Sequence, residues 1–361
     1  MKSHLKNLKP FKIGKQYIGN DFPPIFLPDI GTFFNQNIEL AIEMIDQVKA
    51  SKIPAIKGEI LHSAEICLPG NHQESFLSSD GKTIITENYR ELIERKVVSL
   101  DDYSKIFGHC HKQNIDFVVS VYDHEGVQFA KDHNAAALKV SSSNITHYPL
   151  IASIVKTKLP IIIDTGHATI GEAVRAVEWC RSLGEERIIV EHSPPAPPTS
   201  ISQHNMNLML NLSVSCQSFY GLSDHHHGTE MIIAATAMGA HIIEKGVCPV
   251  GMENDQDVNH AMCIDDVGSI YANMLNVFNS LGDGNDRNRN SAESPYKSRM
   301  CLVAKYDLDT NSILTLGNVT FAFPPVGIGC EYWPEVSGKA VIVPLKKGDV
   351  ITWGHIQDLS C

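Results

Sequence analysis

Lys57 and Lys139 each sit inside a short apolar run, PAIKGEI (54–60) and ALKVSS (137–142). An ammonium in such surroundings needs an anion close by. Ser120, Ser141, Ser142 and Ser143 end the same or neighbouring runs, and hydroxyls beside lysines satisfy the oxygens of a phosphate or carboxylate. A lone lysine of this kind is usually ion-paired within the protein; two of them with hydroxyls beside them read as an anion site. His192 and His225 close two further runs, and their imidazoles could share one divalent cation, with positions left open for substrate and water. The plainer alternative is a hydrogen-bonded core histidine at 192 and a polar loop at 225–227. His109, His111, His133 and His204 read as surface residues. The other run ends are equally polar, with Asp29, Glu59, Asp123, Asp164-Thr165-Gly166-His167, Glu191, Ser223-Asp224 and Glu244-Lys245. The single Asp-Thr-Gly has no second copy with which to form an aspartic-protease dyad.

Side chains spread over so many runs can meet only if the runs end at one place. We read strands at 23–31, 54–60, 116–122, 137–142, 160–166, 187–193, 219–224 and 241–247. Amphipathic segments such as 37–51, 125–133, 169–183, 229–238 and 265–281 lie between them. Eight strands alternating with helices predict an α/β fold of the (β/α)₈ TIM-barrel type, whose functional groups gather at the C-terminal ends of the strands. An open doubly wound sheet is the competing architecture. Leu138 and Val140 then face the helices, so Lys139 points into the barrel. The polar insertion at about 61–86 reads as a lid. Residues 1–22 read as an N-terminal extension, 23–282 as the barrel, 283–298 as a linker without apolar period, and 299–361 as a small β-rich domain punctuated by Gly and Pro.

Composition removes other classes. The chain has 361 residues with 30 Lys plus Arg against 41 Asp plus Glu, a net charge of −11. No basic stripe relieves that field, so no nucleic-acid partner is expected. No window approaches the ~20 apolar residues of a membrane helix. Nine cysteines, odd in number and without Cys-x-x-Cys spacing, point to neither a zinc ribbon nor a disulfide framework. Reduced thiols and the lack of an apolar signal region predict a cytoplasmic protein.

In order along the chain stand KVSSSNITHYPLI (139–151), PIIIDTGHAT (160–169), GLSDHHHG (221–228), HIIEKG (241–246), LGDG (281–284), SRMCLVAKYDL and VGIGCEYWPEVSGKAV. Together these resemble the sialic acid synthase family, a barrel joined to a small antifreeze-like (SAF) domain. The resemblance implies a nonulosonate synthase that condenses phosphoenolpyruvate with an N-acetylated hexose aldehyde and releases phosphate by C–O cleavage. A silent sugar-binding or regulatory homologue, or a related synthase with another acceptor, is the alternative. It also implies roles for particular residues. Asp29, Lys57 and Glu59 would be catalytic. Lys57, Ser120, Lys139, Ser142, Asp164 and Thr165 would meet phosphoenolpyruvate. Asp29, Glu59, Asn144 and Phe323 would meet the acceptor sugar. His192 and His225 would hold Mn²⁺ or Mg²⁺, and a homodimer would place each SAF domain near its partner's barrel mouth. The chain departs from the family pattern where it has Phe33-Phe34, Glu59, Asn144, Asp164, Gly246 and Phe323. The carboxylates at 59 and 164 matter most, because a negative charge beside a bound phosphate weakens it unless a cation intervenes.

Overall fold

The computed structural model describes residues 5, 7–196, 200–252, 257–282 and 298–357. Eight parallel strands form the first compact unit: β1 (Ile25–Asp29), β2 (Ala55–Ile60), β3 (Asp116–Val121), β4 (Ala137–Val140), β5 (Ile161–Asp164), β6 (Ile188–His192), β7 (Phe219–Asp224) and β8 (Ile242–Cys248). Each pairs with the next, and β8 pairs back to β1, so the sheet closes into a barrel. The open-sheet alternative is thereby excluded. Helices α1 (Ile38–Ala50), α2 (Leu100–Gln113), α3 (His124–Asp132), α4 (Tyr148–Lys156), α5 (Ile170–Ser182), α6 (Leu208–Cys216), α7 (Glu230–Met238) and α8 (Val267–Ser280) follow the strands in turn. Several begin where a short polar side chain can satisfy a free N–H: Asn37, Ser99, Asp123 and Thr169 cap α1, α2, α3 and α5.

Period-two alternation divides the strands between two environments. Ile56, Val119, Leu138, Ile163 and Val190 face the helices in a large outer core. Leu27, Ala55, Val118, Ala137, Ile162, Ile189, Phe219 and Ile242 fill the barrel's interior instead. At Gly221, an inward position above Phe219, a Cβ would lie 2.5 Å from the Ile242 carbonyl oxygen, so only glycine lets β7 and β8 approach there. The N-terminal residues are more than an extension. A hairpin of Phe11–Ile13 and Gln16–Ile18 sends Ile13 and Ile18, both fully buried, into the same interior cluster.

The insertion after β2, expected as a lid, is folded. Strands Gln73–Leu77 and Ile84–Asn88 pair antiparallel, and a short helix, Tyr89–Glu94, follows. Leu61, Cys67, Leu92 and Ile93 form its own small core, with Tyr122 packed against it.

The second compact unit begins after Gly282. The expected linker, 283–298, lies outside the described residues except for Ser298. Cys301–Ala304 pairs antiparallel with Val319–Ala322, and Leu302, Leu314, Val336, Val341 and Ile351 make a core of the unit's own. No helix among the described residues is long and apolar enough to cross a membrane.

Candidate active site

Each strand carries its inward face one step beyond the apolar layer, toward the C-terminal end, and there the residues become polar. Asp29 follows Leu27, Lys57 and Glu59 follow Ala55, Ser120 follows Val118, and Lys139 follows Ala137. Asp164 follows Ile162, Glu191 follows Ile189, Ser223 stands above Gly221, and Glu244 follows Ile242. The register agrees, setting Asp29 beside Lys57, Glu59 beside Ser120, Ser120 beside Lys139, Asp164 beside Glu191 and Ser223 beside Glu244.

These side chains form one chain of alternating charge across the barrel. The Lys57 ammonium lies 2.6 Å from Asp29, 3.8 Å from Glu59 and 3.4 Å from Glu244. Glu244 reaches on to Lys139 at 2.8 Å, and Lys139 also meets Asp164 at 2.8 Å and Glu191 at 2.9 Å. Lys139 donates to the Ser223 hydroxyl as well, at 3.3 Å. An ammonium has three protons, and four partners surround this one. Asp164 has further support from the Gly166 N–H at 2.9 Å, and Glu244 from the Ser223 hydroxyl at 3.2 Å. Apart from the Lys139 ammonium, the Glu191 carboxyl has no hydrogen-bond partner among the described residues.

Burial and charge decide who holds a proton. Burial pulls both lysines down, but the surrounding carboxylates outweigh it and hold Lys57 and Lys139 above the ordinary lysine value. Burial raises Asp164 and Glu244, and the lysine ammoniums more than reverse this, leaving both below the ordinary carboxylate range. For Asp29 burial prevails over Lys57, so its carboxyl is raised. Burial also dominates at Glu191, with Glu244 and Asp164 adding to it, and its carboxyl is pushed up to about 8. Five inward carboxyls thus face two ammoniums, and at neutral pH Glu191 is the one that keeps its proton.

A cavity of about 260 Å³ opens above this network. Of the residues expected to act there, Asp29, Lys57, Glu59, Ser120, Lys139, Ser142, Asp164 and His225 line it. The Thr165 hydroxyl instead donates to the Glu191 carbonyl at 2.9 Å. Asn144 lines an adjoining cavity that shares Glu59. Phe323 belongs to the second unit, 56% exposed.

The two expected metal ligands part company. His225 stands at an inward position with its ring 4.7 Å from that of His260. His192 follows inward Glu191 by one residue and therefore turns the other way, where its Nε2 lies 2.7 Å from the His204 carbonyl. A carbonyl only accepts, so Nε2 carries the proton, and burial keeps the ring neutral by lowering its pKa. The residues present do not fit an ion held jointly by His192 and His225. The plainer reading of 192, a hydrogen-bonded core histidine, describes it. His204, expected at the surface, is buried edge-on against His226 at 5.2 Å.

Sequence reasoning named Glu191, Ser223 and Glu244 among the polar run ends without giving them a role, and did not single out Tyr122. The Tyr122 hydroxyl donates to Glu59 at 2.9 Å and lines the mouth. Strand alternation was the available signal, since the step that sends Lys139 inward also selects Glu191 over His192.

A closed barrel with charged inward positions at one end is shared by many enzymes, so comparison with known proteins decides the family. The NeuB family model matches residues 44–286, two thirds of the chain, and the SAF domain model matches 299–357. The chain belongs to the NeuB family. An N,N'-diacetyllegionaminic acid synthase of Campylobacter jejuni is 24% identical over 330 residues, covering 91% of this chain and 98% of that protein. A pseudaminic acid synthase of Helicobacter pylori is 25% identical over 337 residues, covering 93% and 98%. Among solved structures, N-acetylneuraminic acid synthetase from Leptospira borgpetersenii superposes with a TM-score of 0.67 at 21% identity, covering 78% of this chain and 93% of that one. At that identity the superposition bears on the fold alone. Membership of NeuB, together with these relatives, makes the general function that of a nonulosonate-type synthase family.

Proposed function

We propose that this NeuB barrel condenses phosphoenolpyruvate with an N-acylated amino-sugar aldehyde to give a nine-carbon keto acid. The observation that carries the reading is the pair Lys57 and Lys139, buried and charged at the floor of a cavity walled by Ser120, Ser142, Ser193 and Ser223. Phosphate and carboxylate oxygens would take hydrogen bonds from those groups. Carbon 3 of the enol attacks the aldehyde carbon, carbon 2 becomes cationic, water adds to it, and phosphate leaves by cleavage of its bond to carbon. Asp29, beside the Lys57 ammonium at 2.6 Å, stands where it can relay a proton from that ammonium to the new alkoxide. Glu59, held by the Tyr122 hydroxyl, accepts the proton of the attacking water.

One observation favours a second reading, a silent binding homologue. Both ammoniums already have carboxylate partners, so a phosphate must displace one of them or arrive with a proton. Purified protein with phosphoenolpyruvate, Mn²⁺ and a panel of N-acetylated hexoses, assayed for released phosphate, separates the two. Release dependent on the sugar supports the synthase. Binding of sugar without release of phosphate supports the homologue.

A further inference from the structure

At the other end of the barrel, where the strands begin, a cavity of about 510 Å³ lies between the N-terminal segment and strands β6 and β7. Leu8 and Phe11 wall it on one side, Ile188 and Phe219 on the other, and the rings of Phe11 and Phe219 meet edge-on at 5.8 Å. Leu8 and Phe11 are only half-buried, so both keep apolar surface to cover. No step of the proposed condensation reaches this end.

The lining reverses the charge of the molecule. Lys9, Arg181 and Arg187 stand there with one carboxylate, Glu186, on a chain whose net charge is −11. Both guanidiniums are largely engaged within the protein. Arg181 donates to the Cys216 and Gln217 carbonyls at 2.9 and 2.8 Å and lies 3.3 Å from Glu186. Arg187 lies 2.7 Å from Glu185 and donates to the Lys158 carbonyl at 2.7 Å. Lys9 is exposed and has no ion pair among the described residues, so one positive charge is left over. An independent observation points to the same place. Ser218 lines the cavity at 3% exposure, and its N–H and carbonyl are held by the Ser213 carbonyl and hydroxyl at 3.3 and 2.8 Å. Its own hydroxyl is buried with no hydrogen-bond partner among the described residues. Such a group costs free energy, which a bound acceptor returns.

We propose that this cavity binds a small monocarboxylate carrying a flat apolar body. The carboxylate accepts a hydrogen bond from the Ser218 hydroxyl and neutralises the Lys9 ammonium, while the body lies against Leu8, Phe11 and Ile188, where apolar surface is taken from water. A single unpaired cation matches one negative charge better than the two of a phosphate monoester. The ligand touches the N-terminal segment, β6 and β7 at once, so it fastens the hairpin to the base of the barrel. The site stands apart from the lysine-floored cavity and from the synthase reading.

The test uses the full chain and 3-phenylpropionate as the probe, followed by calorimetric titration and by melting curves. We expect saturable binding at one site and a melting temperature that rises with probe concentration. 3-Phenylpropan-1-ol keeps the body without the charge, and propionate keeps the charge without the body; each should bind at least about tenfold more weakly. Ser218→Ala should weaken the probe by about tenfold, the scale of a hydrogen bond to a charged group. Without ligand that variant should melt no lower than the wild type, because its hydroxyl has no bond to lose. Lys9→Glu should weaken the probe to a similar degree, and saturating phosphoenolpyruvate should leave its affinity unchanged. The proposal is overturned by absence of binding, by equal binding of the alcohol, or by an affinity that either substitution leaves unchanged. A lower melting temperature in unliganded Ser218→Ala, or displacement of the probe by phosphoenolpyruvate, overturns it as well.

Discussion

Replacing Lys139 by Met removes the one positive charge shared by Asp164, Glu191 and Glu244, all within 2.9 Å of it. Methionine fills nearly the same space, so the effect is electrostatic rather than a cavity. The stranded carboxylates have two recourses, to stay charged in a dry interior or to take up protons. Keeping a carboxyl with an unfolded pKa near 4 protonated at pH 7 costs about 4 kcal/mol, at about 1.4 kcal/mol per unit. Glu191 is already close to neutral there, and Glu244 retains Lys57 at 3.4 Å, so one added proton, on Asp164, meets most of the need. The expected loss is therefore about 4 kcal/mol, within the ~3–5 kcal/mol found on breaking buried ion pairs. For a unit of this size that is a fall of roughly 10 °C in melting temperature. The pH dependence follows from the same carboxyls. In the variant their folded pKa values lie above the unfolded ones, so stability is retained at low pH and lost as pH rises through the folded values. Melting curves of both proteins at pH 5 and pH 8 provide the assay, with the deficit larger at pH 8. A deficit below about 2 °C, or one that does not change with pH, refutes the internal network as the partner of Lys139.

Glu191→Gln copies the protonated carboxyl, so the wild type should lose stability as pH rises from about 5 toward 8 while this variant stays flatter, read from denaturant midpoints across that window. His192→Phe should leave the affinity for Mn²⁺ equal to that of the wild type in calorimetric titration, while the lost bond to the His204 carbonyl lowers the melting temperature. Deleting residues 1–22 removes buried Ile13 and Ile18, each worth about 1.5–3 kcal/mol, so we expect a large drop in melting temperature or loss of soluble protein; a variant melting like the full chain contradicts the sealing role of the hairpin.

The eight strands were readable because an apolar run ending in Asp, Ser, His or Glu has one physical meaning in a barrel, a buried stretch that surfaces at a mouth. Lys57 and Lys139 were readable for the same reason. Their partners were harder, since nothing local to residue 139 announces Glu244, which arrives only when β8 closes on β1. His192 misled because residue type was weighed ahead of strand parity: histidine suggests a ligand, but its neighbour Glu191 occupies the inward position. Residues 11–18 carry too short an apolar pattern to declare a hairpin, and their burial depends on an opening at the base of a barrel completed some 220 residues later.

That hairpin has a practical side. It stands at the end of the barrel where the strands begin, as Pro10 and Phe11 beside Ile188 and Phe219 show, and the charged cavity lies at the end where they finish. A tether joined to the exposed Lys15 in the hairpin's turn, beside Asn114 and Asp116, therefore leaves from the face opposite the cavity. Immobilised that way on a sensor surface, the barrel presents its open end to the flowing solution, and ligands of the charged cavity can be offered without obstruction from the support.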